Sequence, residues 1–463
     1  MTRQPVQPSQ TPPRARRTRR MVLAAAATGT ATLAVTACAA PGGSGSAPAA
    51  GQKKEPVTLR WSTWGDAQNP FNSTAAPKGL ELFNAKHPHV TVQVEVQVGD
   101  WATKNTTEWI AGTGPDLSGH CCQHGPVFAR QGFLLNLDPY IKRDGKDIPT
   151  SDYVEWLIKL FSSPEHGQFA LPMYTGTVGL FYNRAIFQQK GVATPDESWD
   201  WNKYREAGLR LTNRENAWAR AEVGAGSMYR RFHQNGANMV DPRDDTKAAF
   251  ASERAIAAMQ YERDTIHKDA ATVIGSGPKM PAPLAGLDHY QQINNGRIAM
   301  WEGGSFTITR YVQFLGDEVD WDVAPLPSGP AGRFTLATND GWSIWNGTKA
   351  KDATWEFLKF LQGDEWSDIA TRIVGQQSAR KSFQQRWLTG IKEANPKLAN
   401  KNLKPLAEAI EKNYARPLEL FRKQVEANTE FVNAYNRSVR DGDEEVAVAM
   451  RAAAEVVDQI NKS

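Results

Sequence analysis

The hydrophobic and polar positions of this chain fall into two alternating periods. Val90, Val92, Val94, Val96 and Val98 alternate with Thr91, Gln93, Glu95 and Gln97, and this period of two predicts a half-buried strand. Val57, Leu59 and Trp61 alternate with Thr58, Arg60 and Ser62, which predicts a strand over Val57 to Trp64 with Trp61 in the core. Between them a helix is predicted through Leu80, Leu82 and Phe83, ending before His87-Pro88. A second helix is predicted over Trp101 to Ala111, and Gly112 to Leu117 reads as a tight turn into a short strand. Strand, helix, strand, helix, strand is the order of a parallel or mixed sheet wrapped by helices. Ligands of such sheets sit beyond the carboxyl ends of the strands. That rule puts Ser62-Thr63-Trp64 and Asp116 to Ser118 at the mouth of a site.

The stretch Leu171 to Val192 carries the clearest unit. A Pro172-Met173-Tyr174 turn leads into β-formers from Thr177 to Tyr182, then a helix over Arg184 to Lys190. Asn183 stands where an N-cap belongs and Gly191 where the first residue past the helix belongs. Further helices are predicted over Trp199 to Leu211, Ser252 to His267 and Ala353 to Leu361. The tail from Leu403 to Ser463 is helix-compatible, with breaks at Pro405, Pro417 and Asp441-Gly442. Asp241 to Lys247 reads as an exposed excursion. A chain of 463 residues is too long for one core, and two domains of about 200 residues each are expected.

Charge changes the picture only after the amino terminus is set aside. The formal charge is +4, but residues 1–37 hold six arginines and no acid, so the remainder carries −2. A nucleic-acid partner loses its electrostatic support. Residues 1–38 read as a targeting segment: a basic region ending at Arg20, an apolar stretch from Met21 to Ala34, then Val35-Thr36-Ala37-Cys38, which looks like a lipobox. Thr18-Arg19-Arg20-Met21-Val22-Leu23 is similar to a twin-arginine signal, and an Arg-rich general secretory signal fits as well. Lipidation is expected at Cys38, and the Gly/Ser/Pro/Ala-rich residues 39–56 read as a flexible tether.

Several pieces in order then resemble one family. The pattern from Leu171-Pro172 through Leu180-Phe181-Tyr182-Asn183 to Gly191-Val192 resembles the family 1 extracellular solute-binding proteins of bacterial ABC importers. So do Ile110-Ala111-Gly112 with Pro115-Asp116-Leu117, Gly132-Phe133-Leu134 to Asp138-Pro139-Tyr140, and Asn295-Gly296-Arg297-Ile298-Ala299-Met300 followed by Gly304-Ser305-Phe306. Ala324-Pro325-Leu326-Pro327, and Gly341-Trp342 with Ala353 and Trp355-Glu356-Phe357-Leu358, complete the set over residues 57 to about 382. One departure is Ala379, where the family often has Pro before the arginine, here Arg380. The resemblance implies an α/β, two-lobed periplasmic-binding-protein-like fold of type II, each lobe a mixed sheet flanked by helices, with a hinge between. It places 57–168 and 296–340 in the first lobe and 169–295 and 341–463 in the second. It implies a small-molecule solute, most often a sugar, delivered to ABC importer permease subunits by a monomer lipid-anchored to the outer face of the cytoplasmic membrane, with no cofactor.

A sugar offers an apolar C–H face to aromatic rings and hydroxyls to carboxylates, amides and Arg. There are 15 tryptophans, all after residue 60. The ligand candidates are Trp64 at a strand end, Tyr174, Trp301 with Glu302 before a Gly-Gly loop, and Asp340 with Trp342. Asp116 serves either the ligand or the turn after Pro115, and Arg380 would suit a glycerol-phosphate-type ligand. His120-Cys121-Cys122-Gln123-His124 does not suit a metal, because adjacent cysteines present poor tetrahedral geometry and no second cysteine pair exists. A vicinal disulfide between Cys121 and Cys122 is expected in an oxidising compartment. No nucleophile elbow, zinc-protease helix, P-loop or dinucleotide fingerprint occurs, so a binding protein is expected and a secreted carbohydrate-active enzyme is the rival.

Overall fold

A computed structural model describes residues 55–462, apart from 122–123, 149, 213–219, 223–225 and 277–278. The signal segment, Cys38, Cys122 and nearly all of the tether lie outside the described residues. Ten strands form one mixed sheet: β1 (Val57–Trp64), β2 (Val90–Gln97), β3 (Leu117–His120), β4 (Leu171–Asn183), β5 (Arg220–Glu222), β6 (Thr272–Val273), β7 (Ile298–Gly304), β8 (Trp321–Ala324), β9 (Thr335–Ile344) and β10 (Ala415–Arg416). Their order is β6-β5-β7-β4-β9-β3-β1-β2, with β8 paired to β4 and β10 to β9. No helix of the described residues is long and apolar enough to cross a membrane.

The alternating pattern of the amino-terminal segment gives a parallel β1–β2 pair in register from Val57–Val90 to Trp64–Gln97, with β3 parallel on the other side of β1. The 13-residue β4 does something different. Its first half, from Leu171, pairs antiparallel with β9, and its second half, Val178 to Asn183, pairs with β7 and β8. β9 in turn reaches β3 through Gly341 to Ile344. One hydrogen-bonded pair of strands therefore joins the two halves of the sheet.

Pro172-Met173-Tyr174, expected to turn, is part of that strand. The β4–β9 register shifts between Asp340–Tyr174 and Gly341–Pro172, leaving Met173 as an extra residue on β4. A bulge of this kind admits a proline that an unbroken central strand would reject. Past the strand the sequence reading holds in detail. Asn183 accepts a hydrogen bond from the Ile186 N–H at 3.3 Å, opening the helix Arg184–Gln189, and Gly191 takes φ +60° just beyond it. In the tail Pro405 falls in the first turn of the helix Lys404–Glu411 rather than breaking it, because the amide it lacks would have no partner there. The breaks come at 412–423 and at Asp441-Gly442.

Each half has its own cores. In the first, Trp61 packs edge-on against Phe71, Trp342, Phe357 and Trp366 at centroid distances of 5.1–5.9 Å. In the second, alternate residues of β4 serve opposite faces: Phe181 joins Trp301, Trp321 and Trp387, while Leu180 and Tyr182 join Phe187, Met300 and Leu326. At two segments the packing runs across the boundaries drawn from sequence. Ile298, Trp301 and Trp321, assigned to the first lobe, pack with the second half, and Trp342, Trp355 and Trp366, assigned to the second, pack with the first.

Replacing Asn183 by Ala removes the cap at the helix start. The expected result is a loss of about 1 kcal/mol of stability, read as a lower urea midpoint at unchanged slope, with Asp at the same position retaining most of it.

Candidate functional site

Two cavities adjoin, one opening where the halves of the sheet meet and one within the second half. The larger, about 640 Å³, is walled by Trp64, Tyr174 and Trp342 from the first half and the β4–β9 pair, and by Phe306, Arg310 and Phe314 from the chain after β7. The smaller, about 470 Å³, is lined by Arg230, Glu302, Tyr435 and Arg440 among others. Tyr290, Phe306 and Thr307 belong to both walls.

The aromatic wall depends on a glycine. Trp342 on β9 stands opposite Gly119 on β3 in the antiparallel register. A Cβ on Gly119 would lie 2.5 Å from Trp64 Cζ3 and 2.7 Å from Trp342 Cζ3, so only bare backbone lets both indoles close over the sheet. The far side of Trp64 stacks on Trp101 at 5.7 Å between centroids and 26° between planes. Phe306 and Phe314 are 43% and 48% exposed, unusual for rings of that size unless a partner covers them. Polar groups at the rim are Asp66, Asn69, Gln313 and Gln376.

Arg230 and Glu302 give the smaller cavity a charged floor, backed by Arg231 and Glu262. Arg230, Arg231, Glu262 and Glu302 are all at least nine-tenths buried. Glu302 pairs with Arg230 through one oxygen and with Arg231, at 3.1 Å, through the other. Arg231 also reaches Gln234 at 2.9 Å and Glu262 at 3.4 Å, and lies over the rings of Trp201, Tyr204 and Tyr261. Glu262 accepts from Ser227 at 2.7 Å and from the Tyr435 hydroxyl. Burial pushes the Arg230 guanidinium down to about 9.

Of the residues singled out from sequence, Trp64, Tyr174 and Trp342 come together on the larger cavity and Glu302 lines the smaller. Asp340, buried opposite Tyr174 at the bulge, faces the Cys121 thiol, which burial and that carboxylate push up to about 12. The remaining three line neither cavity. Trp301 is fully buried because β7 does not end in a Gly-Gly loop but continues through Gly304 alongside β4, and its ring stacks on Phe181 at 5.9 Å. Asp116 accepts from the Arg60 N–H at 2.8 Å and from the Thr348 hydroxyl, tying strand to turn. Arg380 holds Asp152 at 2.9 Å and also pairs with Asp364, away from both cavities. His120 is buried against the Ser343 hydroxyl at 2.6 Å, and burial pushes it down to about 3. The disulfide expectation rests on Cys122, outside the described residues.

Phe306, Arg310, Phe314, Arg230 and Arg440 were not put forward from sequence. Phe306 ends the Gly304-Ser305-Phe306 motif, so a signal was present; the arginines had none.

A central mixed sheet in two halves with a cleft at their junction defines a two-lobed binding protein of the periplasmic type. Residues 64–368 match the bacterial extracellular solute-binding proteins, and the chain belongs to that family. A protein of Brucella abortus named as a binding protein is 24% identical over 305 residues, 64% of this chain and 70% of the relative. The fold is shared with an ABC substrate-binding protein of Listeria monocytogenes solved with cycloalternan (TM-score 0.73, 19% identity, 88% of this chain and 99% of that one). It is shared too with UgpB of Mycobacterium tuberculosis solved with glycerophosphocholine (TM-score 0.68, 18% identity, 88% and 98%).

Arg380 gives a check on site against scaffold. Burial alone would raise Asp152 and Asp364, but hydrogen bonds from Ser382 and Arg380 to the first, and from Arg380 and Arg386 to the second, hold both below the ordinary carboxylate range. Depressed carboxylates stabilise the fold above their unfolded value and lose that contribution as the pH falls through the folded one. Arg380→Gln is expected to cost roughly 1 kcal/mol near pH 7, to cost progressively less below about pH 4, and to leave ligand affinity unchanged. Urea titrations at several pH values and one binding isotherm check it.

Proposed function

We propose that this protein is the carbohydrate-capturing subunit of an ABC importer, holding a mono- or oligosaccharide in the larger cavity and presenting it to membrane permease subunits. The observation that carries the reading is the aromatic cavity itself. Trp64 and Tyr174, backed by the buried indole of Trp342, share with Phe306 and Phe314 a cavity of about 640 Å³ that amides and Asp66 also line. Pyranose C–H faces lie on such rings and hydroxyls on such groups. The protein acts as a monomer, exported and anchored by lipid on Cys38 to the outer face of the cytoplasmic membrane.

Binding without chemistry is the better reading of the carboxylates. Glycoside hydrolysis needs two of them opposed across the sugar, about 5–9 Å apart. Among the described residues lining the cavities the carboxylates are Asp66 and Glu302, and Glu302 has an arginine on each oxygen. A glycerol-phosphate-type ligand held by Arg380 is not favoured, since that guanidinium is committed to Asp152 and Asp364.

Calorimetry of the chain from Ala39 onward against mono-, di- and oligosaccharides tests the reading. One sugar class is expected to bind, with no product on prolonged incubation. Trp64→Ala is expected to weaken that binding by about tenfold or more, the scale of one lost stacking platform. Turnover of the sugar would favour the enzyme; binding of an amino acid and no sugar would overturn the ligand class.

A further inference from the structure

The two cavities differ in chemistry. The larger is aromatic, whereas the smaller has a charged floor, and Phe306 stands between them. A Cβ on Gly304 would lie 2.1 Å from the Phe306 ring and one on Gly176 would lie 2.7 Å from it, so backbone without side chains makes room for the ring at the junction. We propose that the smaller cavity is a subsite for an acidic group, a carboxylate or a phosphate, carried by a sugar whose ring occupies the aromatic cavity. The proposal rests on the carbohydrate reading above.

Charge accounting carries it. Arg230, Arg231, Glu262 and Glu302 form a closed set of two cations and two anions, each carboxylate touching at least one guanidinium. Burying such a set is repaid only by its internal pairing, so none of it is left over for a ligand's charge to oppose. Arg440 stands outside the set. It lines the cavity half-buried, its Nη2 donates to the Ser276 carbonyl at 2.5 Å, and no carboxylate lies within ion-pair distance among the described residues. The acid three residues on, Asp443, is taken by Lys279. The Nε–H of Arg230, on the same floor, has no hydrogen-bond partner. Among the described residues the cavity therefore carries one uncompensated cation and one idle guanidinium donor, in a site partly withdrawn from water where charges interact strongly. Planar guanidinium donors match the oxygens of a carboxylate or phosphate, and a neutral sugar leaves that charge unanswered.

Calorimetry on matched sets decides it: a neutral pyranose, its uronic acid and its phosphate ester, each at low and high salt, with wild type and Arg440→Gln. The acidic members are expected to bind about tenfold or more tighter than the neutral one, as one charge-assisted contact would give. The preference is expected to shrink with salt and to collapse in Arg440→Gln, whose melting temperature without ligand reports its folding. Whether the uronic acid or the ester gains more separates carboxylate from phosphate. Neutral members binding as tightly as acidic ones, or a preference that survives Arg440→Gln, overturns the acidic subsite and leaves the carbohydrate reading standing. Should the variant fail to fold, the wild-type preference and its salt dependence decide alone. Binding of no sugar in any form overturns both.

Discussion

The hydrogen-bonded pairing of Leu171–Asn183 with Thr335–Ile344 is the constraint on which the rest depends. These two strands carry the sheet from one half to the other, beside a shared core in which Trp109, Phe128 and Leu157 meet Ile410 and Ala415. At their crossing sits the Met173 bulge, which bends a strand and raises its twist. The bulge also sets Tyr174 and Asp340 opposite each other, with Trp342 two residues on. The geometry of the cavity wall is thereby coupled to the geometry of the crossing. A few residues at such a junction suffice to absorb domain closure, and any closure about this pair moves the aromatic wall with it.

The two halves protect that junction by different means. The first relies on dense ring packing around Trp61, which holds Trp342 fully buried behind the cavity wall. Gly119 then lets Trp64 come over the same patch. The second half covers its sheet on both faces with apolar cores, and a helical cluster around Phe232, Phe250, Phe431 and Met450 lies beyond. The buried ion set comes from the helices Ser227–Gln234 and Glu253–Arg263 and from Glu302 on β7, with Tyr435 of a third helix bonded to it, so it is supplied by elements far apart in the chain.

This division explains what was legible in the sequence. Period-two alternation and caps are local, so β1, β2 and the Asn183-to-Gly191 helix were readable residue by residue. Trp64 could be placed at a strand end from the sequence, whereas Tyr174 and Trp342 lie inside the two central strands and meet it only through their pairing. Trp301 was misplaced because Gly303-Gly304 has the composition of a loop, while the glycines are there to clear Tyr311, Phe181 and Phe306. Arg380 failed for a related reason: a motif position does not reveal which carboxylates fold against it, and Asp152 lies 228 residues away in the chain. The packing crosses the lobe boundaries drawn from sequence because the long strands run between cores, and sequence order alone does not say on which side a strand begins.

The arginines at positions 230, 231 and 440 show the limit most sharply. Nothing local to Arg230 and Arg231 marks them; only the long-range arrival of Glu262 and Glu302 makes them a buried charged set. Buried ion pairs of this kind are poor sources of stability, since desolvation offsets most of what pairing returns. Apolar residues of the same volume would hold the helices as well. What apolar residues would not supply is polarity at the end of an otherwise aromatic cleft. The scaffold pays for its stability with rings and strand pairing, and the charged set contributes something separate: a fixed chemical contrast between two adjoining cavities, on which discrimination among ligands of one shape can be built.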